Sequence, residues 1–149
     1  MTLNVLRPAT EATIRPVFPI PGPFINVATL HYKSLSANSA TDTLTIRPPQ
    51  GQRWVCIYGH GRIMSIAGQN ASTYTELRIE LTDGVNTGTV KAATFNAGST
   101  FVRNDDVVSF GSNSDGELLL TNDRYMQITF QNTSPHTNTG EVMVLTRPI

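Results

Sequence analysis

From Phe24 onward, apolar and polar residues alternate in one short segment after another. Residues 74–81 show it most cleanly. Leu77, Ile79 and Leu81 fall on one side and Glu76, Arg78 and Glu80 on the other, a period of two that marks a strand with one face buried. Residues 125–131 repeat the pattern, with Met126, Ile128 and Phe130 opposed to Tyr125, Gln127 and Thr129. Over 41–47, Leu44 and Ile46 share a face, and over 141–146 Val142 and Val144 oppose Met143 and Leu145. Looser patterns predict strands over 25–32, 53–58, 62–66, 89–95, 100–103, 107–110 and 117–120. Turn signals separate them: Pro48-Pro49-Gln50-Gly51, then Asp83-Gly84, a pair that tolerates positive φ. Gly59-His60-Gly61 reads as a break between two strands. No window carries a helical stripe bounded by caps.

About eight to ten short strands joined by connections of unequal length predict an all-β fold. The uneven connections favour a jelly-roll-like antiparallel β-sandwich over an up-and-down barrel. No repeat of fixed period suggests a propeller or β-helix. The sandwich is assigned to 24–149. Residues 1–23 form a separate segment, an extended proline-rich N-terminal arm. Pro8, Pro16, Pro19, Pro21 and Pro23 exclude helix and central strand there. Leu6, Ile14, Val17, Phe18 and Ile20 make the segment too apolar for a free tail. It lies along its own domain, is laid on a neighbouring subunit or another protein, or, as the least favoured alternative, is disordered.

Composition agrees with this picture. The chain has 149 residues, enough for one core, with 39% hydrophobic and 15% charged residues, both below ordinary globular values. Threonine, serine and asparagine fill the difference, and they suit strand surfaces and turns more than helices. The formal net charge is +0 and the cations are scattered, which argues against nucleic-acid binding, although a face could be basic if charges segregate in three dimensions. The single cysteine, Cys56, forms no internal disulfide and reads as a small core side chain. Neither a signal peptide nor an apolar run of roughly 20 residues is visible. Synthesis in a reducing cytoplasm, away from a membrane, is the expectation.

A search for chemistry finds no catalytic set. His31, His60 and His136 lie outside any Gly-x-Ser-x-Gly context, and His60 reads as a loop or bulge histidine. No His-x-His or paired cysteine suggests zinc. Asp105, Asp106, Asp115, Glu117 and Asp123 supply oxygen ligands suited to calcium, yet Asp, Asn and Gly are also ordinary turn residues, and the calcium question stays open. Glu76 and Glu80 share a strand face with Arg78 between them, a charge-balanced exposed surface rather than a glycosidase pair. The sequons at Asn70 and Asn132 read as chance. Trp54 is assigned to the core. No catalytic residue, cofactor, metal or small-molecule substrate is predicted.

Residues Pro49-Gln50-Gly51-Gln52-Arg53-Trp54-Val55, followed by Thr75-Glu76-Leu77-Arg78-Ile79-Glu80-Leu81-Thr82-Asp83-Gly84, resemble a pattern in tailed-bacteriophage structural proteins. Asn104-Asp105-Asp106-Val107-Val108 is similar to the Gly-Asp-x-Val turns of the same jelly rolls, with Asn104 where glycine is common. The resemblance covers roughly 45–130. It implies a capsid decoration (cement) protein, commonly a homotrimer, on the virion surface with the major capsid protein as partner. In that reading Leu6, Ile14, Val17, Phe18 and Ile20 anchor the arm on neighbouring capsid subunits, and the prolines limit the entropy lost on docking. The alternative is a glycan- or receptor-binding module of a virion fibre or head protrusion, which predicts Tyr58, Tyr74 or Tyr125 in one cleft. A third reading, a hydrolase or isomerase on a cupin-like barrel, predicts bound metal.

Overall fold

The computed structural model describes residues 6–8, 13–16, 28–68, 70, 72–95, 107–111 and 118–149, with the backbone alone at 6–8, 13–16, 107 and 108. Eleven strands and no helix occur among these residues. They are β1 (Leu6–Pro8), β2 (Thr13–Pro16), β3 (Thr29–Ala37), β4 (Ala40–Ile46), β5 (Arg53–Ser65), β6 (Thr75–Thr82), β7 (Thr87–Phe95), β8 (Val107–Phe110), β9 (Leu118–Thr121), β10 (Tyr125–Asn132) and β11 (Asn138–Pro148). Nine of them fall within 24–149, and the other two lie in the proline-rich segment. The predicted strand at 100–103 and the first residues of the one at 25–32 lie outside the described residues.

All pairings are antiparallel, and they are nested. β6 pairs with β7, β5 with both β8 and β9, β4 with β10, and β3 with β11. From β3 onward the chain crosses between two sheets, staying in one sheet only from β6 to β7 and from β8 to β9; the sheets are ordered β1-β2-β3-β11-β5 with β8 and β9 beyond, and β4-β10-β6-β7. A long hairpin rolled up in this way is a jelly roll. The inner faces meet over Leu35, Ile46, Ile63, Leu77, Ile79, Phe110, Leu120, Met126, Ile128, Phe130, Val142 and Val144, each at most 1% exposed. Cys56 is also fully buried. Trp54 is only partly buried but packs against this core, with its ring centroid 5.8 Å from that of His31.

The break expected at Gly59-His60-Gly61 is absent: β5 runs through it unbroken for 13 residues. The glycines are there for proximity. A Cβ on Gly59 would stand 2.1 Å from Cε2 and Cζ of Phe110, the residue paired with it on β8, so the ring lies directly on the β5 backbone. β5 carries its irregularities elsewhere. Leu145 pairs with Tyr58 and Thr146 with Cys56, which leaves Ile57 unmatched; a second shift leaves Met64 unmatched. Such bulges bend a long strand around a sandwich.

The Asp83-Gly84 turn forms as predicted. Gly84 has φ +93°, and the Asp83 carboxylate accepts the N–H groups of Val85 at 2.8 Å and Asn86 at 2.6 Å, and Asn86 Nδ2 at 3.0 Å.

Candidate functional site

The groups that could carry chemistry are dispersed. His31 is buried and shares a 3.0 Å hydrogen bond with Thr146 Oγ1 through Nε2. His60 lies in the middle of β5, and His136 sits in the β10–β11 loop with its ring against Gly68, whose Cβ would meet it at 1.9 Å. Among the described residues no three of His, Cys, Asp and Glu gather around a point that could hold a metal. Asp105, Asp106, Asp115 and Glu117 lie outside the described residues.

Glu76, Arg78 and Glu80 do share one face. Arg78 Nε stands 2.8 Å from Glu76 Oε1, off the N–H axis, and Nη1 stands 3.6 Å from Glu80 Oε1. The expectation of full exposure fails at Glu80, which is 8% exposed. Thr129 Oγ1 on β10 donates to its Oε2 at 3.2 Å, and Arg78 compensates the charge alongside.

The sequon at Asn132 belongs to a buried polar knot, which sequence reasoning missed. Asn132 is 1% exposed. Its Nδ2 donates to the carbonyls of Ala37 (2.8 Å) and His136 (2.7 Å), and its Oδ1 accepts from Ser134 N–H, Thr75 Oγ1 and Asn138 Nδ2. Every position of the amide is occupied, so it cannot accept a glycan in the folded protein. The knot ties β3, β6 and the β10–β11 loop together at one end of the sandwich. Its only sequence signal is a polar residue ending the β10 alternation. Asn70 is exposed, and its Oδ1 accepts from Ser72 N–H and Oγ in an Asx turn.

The feature best suited to contact another molecule is the outer face of the β3–β11–β5 sheet. Two cross-strand rows run over it: Leu30, Leu145 and Tyr58, then Tyr32, Met143 and His60. Tyr58 is 44% exposed and Met143 37%, and Met64 further along β5 is 48% exposed, so large apolar side chains face outward together rather than singly. The next row is polar and tied down. Arg62 Nε donates to Glu141 Oε1 at 2.7 Å, and Tyr32 Oη donates to Glu141 Oε2 at 3.4 Å.

This face ends at the β3 edge, where the proline-rich segment joins. β1 and β2 pair as an antiparallel hairpin, and among the described residues β2 meets β3 at two positions, Thr13 with His31 and Ile14 with Leu30. β11 pairs with all nine residues of β3 on its other side. Of the predicted anchors, Leu6 lies in β1 and Ile14 in β2 opposite the first residue of the apolar row. Val17, Phe18 and Ile20 fall outside the described residues. The three tyrosines considered for a binding cleft do not converge. Tyr58 is on this face, while Tyr125 and Tyr74 belong to opposite ends of the other sheet.

No family model matches the chain, and no curated protein matches it. Among solved structures, it is similar to a protein of the Bacillus endospore appendages, described as a family of disulfide-linked pili. The identity is 14% and the TM-score 0.47, over 99% of this chain and 96% of that one. It is also similar to the Yersinia pseudotuberculosis-derived mitogen, at 16% identity and TM-score 0.34, over 70% of this chain and 82% of that one. A third likeness is to the Drosophila NLP core, at 16% identity and TM-score 0.33, over 79% and 97%. With every TM-score below 0.5, none of these likenesses bears on what this chain binds or does.

Proposed function

We propose that this domain is a structural protein that decorates a virus capsid and stabilises it by binding across neighbouring capsid subunits, with the major capsid protein as partner and a homotrimer as the working form. The observation that carries this reading is the pair of rows on the outer β3–β11–β5 face, apolar but for His60 at one end, running up to the edge where the N-terminal hairpin joins. Such a surface suits a broad, shallow contact rather than a small-molecule pocket. Among the described residues the hairpin pairs with β3 at two positions, at the margin of that face. A staple of this kind buries its surface only on correctly assembled neighbours, and so adds binding free energy to that state alone. Contacts from several protomers then act together through effective concentration.

The test is the solution mass, by light scattering, of the intact chain and of a chain starting at Pro23, followed by cosedimentation of both with a tailed-phage shell whose decoration sites are vacant. The reading expects a trimer that sediments with the shell, and loss of one or both on truncation. Two equally stable monomers that ignore the shell would end it.

A further inference from the structure

Charge is unevenly placed in this neutral chain. In the body of the sandwich three cations have carboxylate partners: Lys33 with Asp42 at 2.6 Å, Arg62 with Glu141 at 2.7 Å, and Arg78 with Glu76 and Glu80 at 2.8 and 3.6 Å. Four arginines collect instead at one end, around the β9–β10 turn. Arg53 opens β5, pairs with Thr121 of β9, and its carbonyl accepts the N–H of Ile149. Thr121 N–H donates to the carbonyl of Arg124 at 2.7 Å. Arg47, just past β4, donates from Nε to the carbonyl of Asn122 at 2.6 Å, and its guanidinium lies 4.5 Å from the centre of the Tyr125 ring. Arg147 stands opposite Val55, two residues along β5 from Arg53.

None of these four has a carboxylate within 4.0 Å among the described residues. Arg47, Arg53 and Arg124 are exposed and Arg147 is half-buried. The N-terminal hairpin adds to the same end by position: Arg7 pairs with Arg15, the residue after the Ile14–Leu30 contact. Among the described side chains, the negative groups nearby are Asp83 and Asp123. Asp83 is already engaged by three hydrogen-bond donors of its own turn.

We propose that this arginine-bearing end is a docking surface for an acidic protein segment, one presenting clustered Asp and Glu side chains. The described cations here are all arginine, whose planar fork pairs with carboxylates through two parallel hydrogen bonds. Arg47 is held in place before any partner arrives, by Asn122 and the Tyr125 ring, so less freedom is lost on binding. A patch this small would release few counterions from a continuous phosphate backbone, which disfavours nucleic acid. Among the described residues, the carboxylates outside ion pairs are Asp83 and Asp123, which lie on this same end, so in a second copy those two would bring their own arginines with them. The inference rests on charge placement alone and does not require the partner to be a capsid.

The experiment uses the full chain with two labelled probes, a short polyglutamate peptide and a short DNA duplex, followed by fluorescence anisotropy at low and raised salt. The peptide is expected to bind at low salt and to weaken as salt rises. The double variant Arg53→Gln/Arg124→Gln should weaken it about fivefold, at a few tenths to one kcal/mol for each exposed contact, while Arg62→Gln leaves it unchanged. Amide shifts of the unaltered protein on adding peptide should centre on 121–125, which keeps the test valid if the variant misfolds. No binding of the peptide, preference for the duplex, equal weakening by Arg62→Gln, or shifts centred elsewhere would each overturn the proposal.

Discussion

At Gly59 the missing side chain is space that the Phe110 ring occupies. Gly59→Ala should therefore cost about 1–3 kcal/mol, as overpacking does in a filled core, and urea unfolding should show a lower midpoint with an unchanged slope. An unaltered midpoint would mean that the β5–β8 contact is loose. Asp83 illustrates the opposite case, a side chain whose charge is needed locally. Hydrogen bonds from the Asn86 side chain, then from the Asn86 and Val85 backbone, lower its pKa to about 2. Because the folded value lies below the ordinary one of ~4, the charged carboxylate favours the folded turn above that pH. This contribution fades as pH falls from ~4 toward 2. A carbon-detected NMR titration should place the Asp83 midpoint near 2, and Asp83→Asn should remove that part of the acid dependence. A midpoint near 4 would show that the turn does not hold the carboxylate.

Among the elements, the edges are where a sandwich is vulnerable to unwanted pairing. Among the described residues β3 meets β2 at two positions, and further along β3 a charge guards the edge. Lys33 shares the inward alternation of His31 and Leu35. Its Nζ donates to Asp42 Oδ1 at 2.6 Å and to the Thr43 carbonyl at 2.8 Å, and Asp42 Oδ2 accepts the Ser36 N–H at 3.1 Å. A charge pointing inward from an edge strand cannot be buried under an added strand without losing its partners. Lys33→Val should alter monomer stability by less than ~1 kcal/mol, since the pair is partly solvated, yet cause a concentration-dependent rise in mass by light scattering. A variant that stays at the wild-type mass at every concentration would remove the guarding role. β7, one of the two edges of the other sheet, is protected by geometry: Ile79 pairs with Lys91 and Glu80 with Thr89, so Val90 bulges out of the ladder.

For the molecule as a whole, nesting makes the last strand the keystone. β11 lies between β3 and β5 and pairs with both, and the His31–Thr146 hydrogen bond joins residues 115 apart. A chain ending at Thr137 should thus fail to fold, giving collapsed amide dispersion in its NMR spectrum, because its removal strands β3 and exposes one side of β5. A cooperatively folded truncated chain would contradict this. Refolding of the full chain, dominated by such distant pairings, should fall in the millisecond-to-second range typical of β-sandwiches.

The sequence by itself determined the class of fold and most strand positions, because a period of two is a local property: it follows from alternating side-chain direction and needs no partner. The Asp83-Gly84 turn was legible for the same reason. Tertiary structure decided what depended on distant neighbours. Gly59-His60-Gly61 reads as a break until Phe110, far along the chain, is laid on it. Asn132 reads as a sequon until Ala37, Thr75 and Asn138 close around it. On β11 both alternating sets, Val142 and Val144 against Met143 and Leu145, are apolar, so periodicity sorts residues onto two faces without saying which one meets the other sheet. Only the packing of β4, β6 and β10 against the first set turned Met143 outward toward the candidate face. The four arginines at one end are likewise scattered in sequence over a hundred residues, and a nested chain brings them together because its turns alternate between two ends of the sandwich.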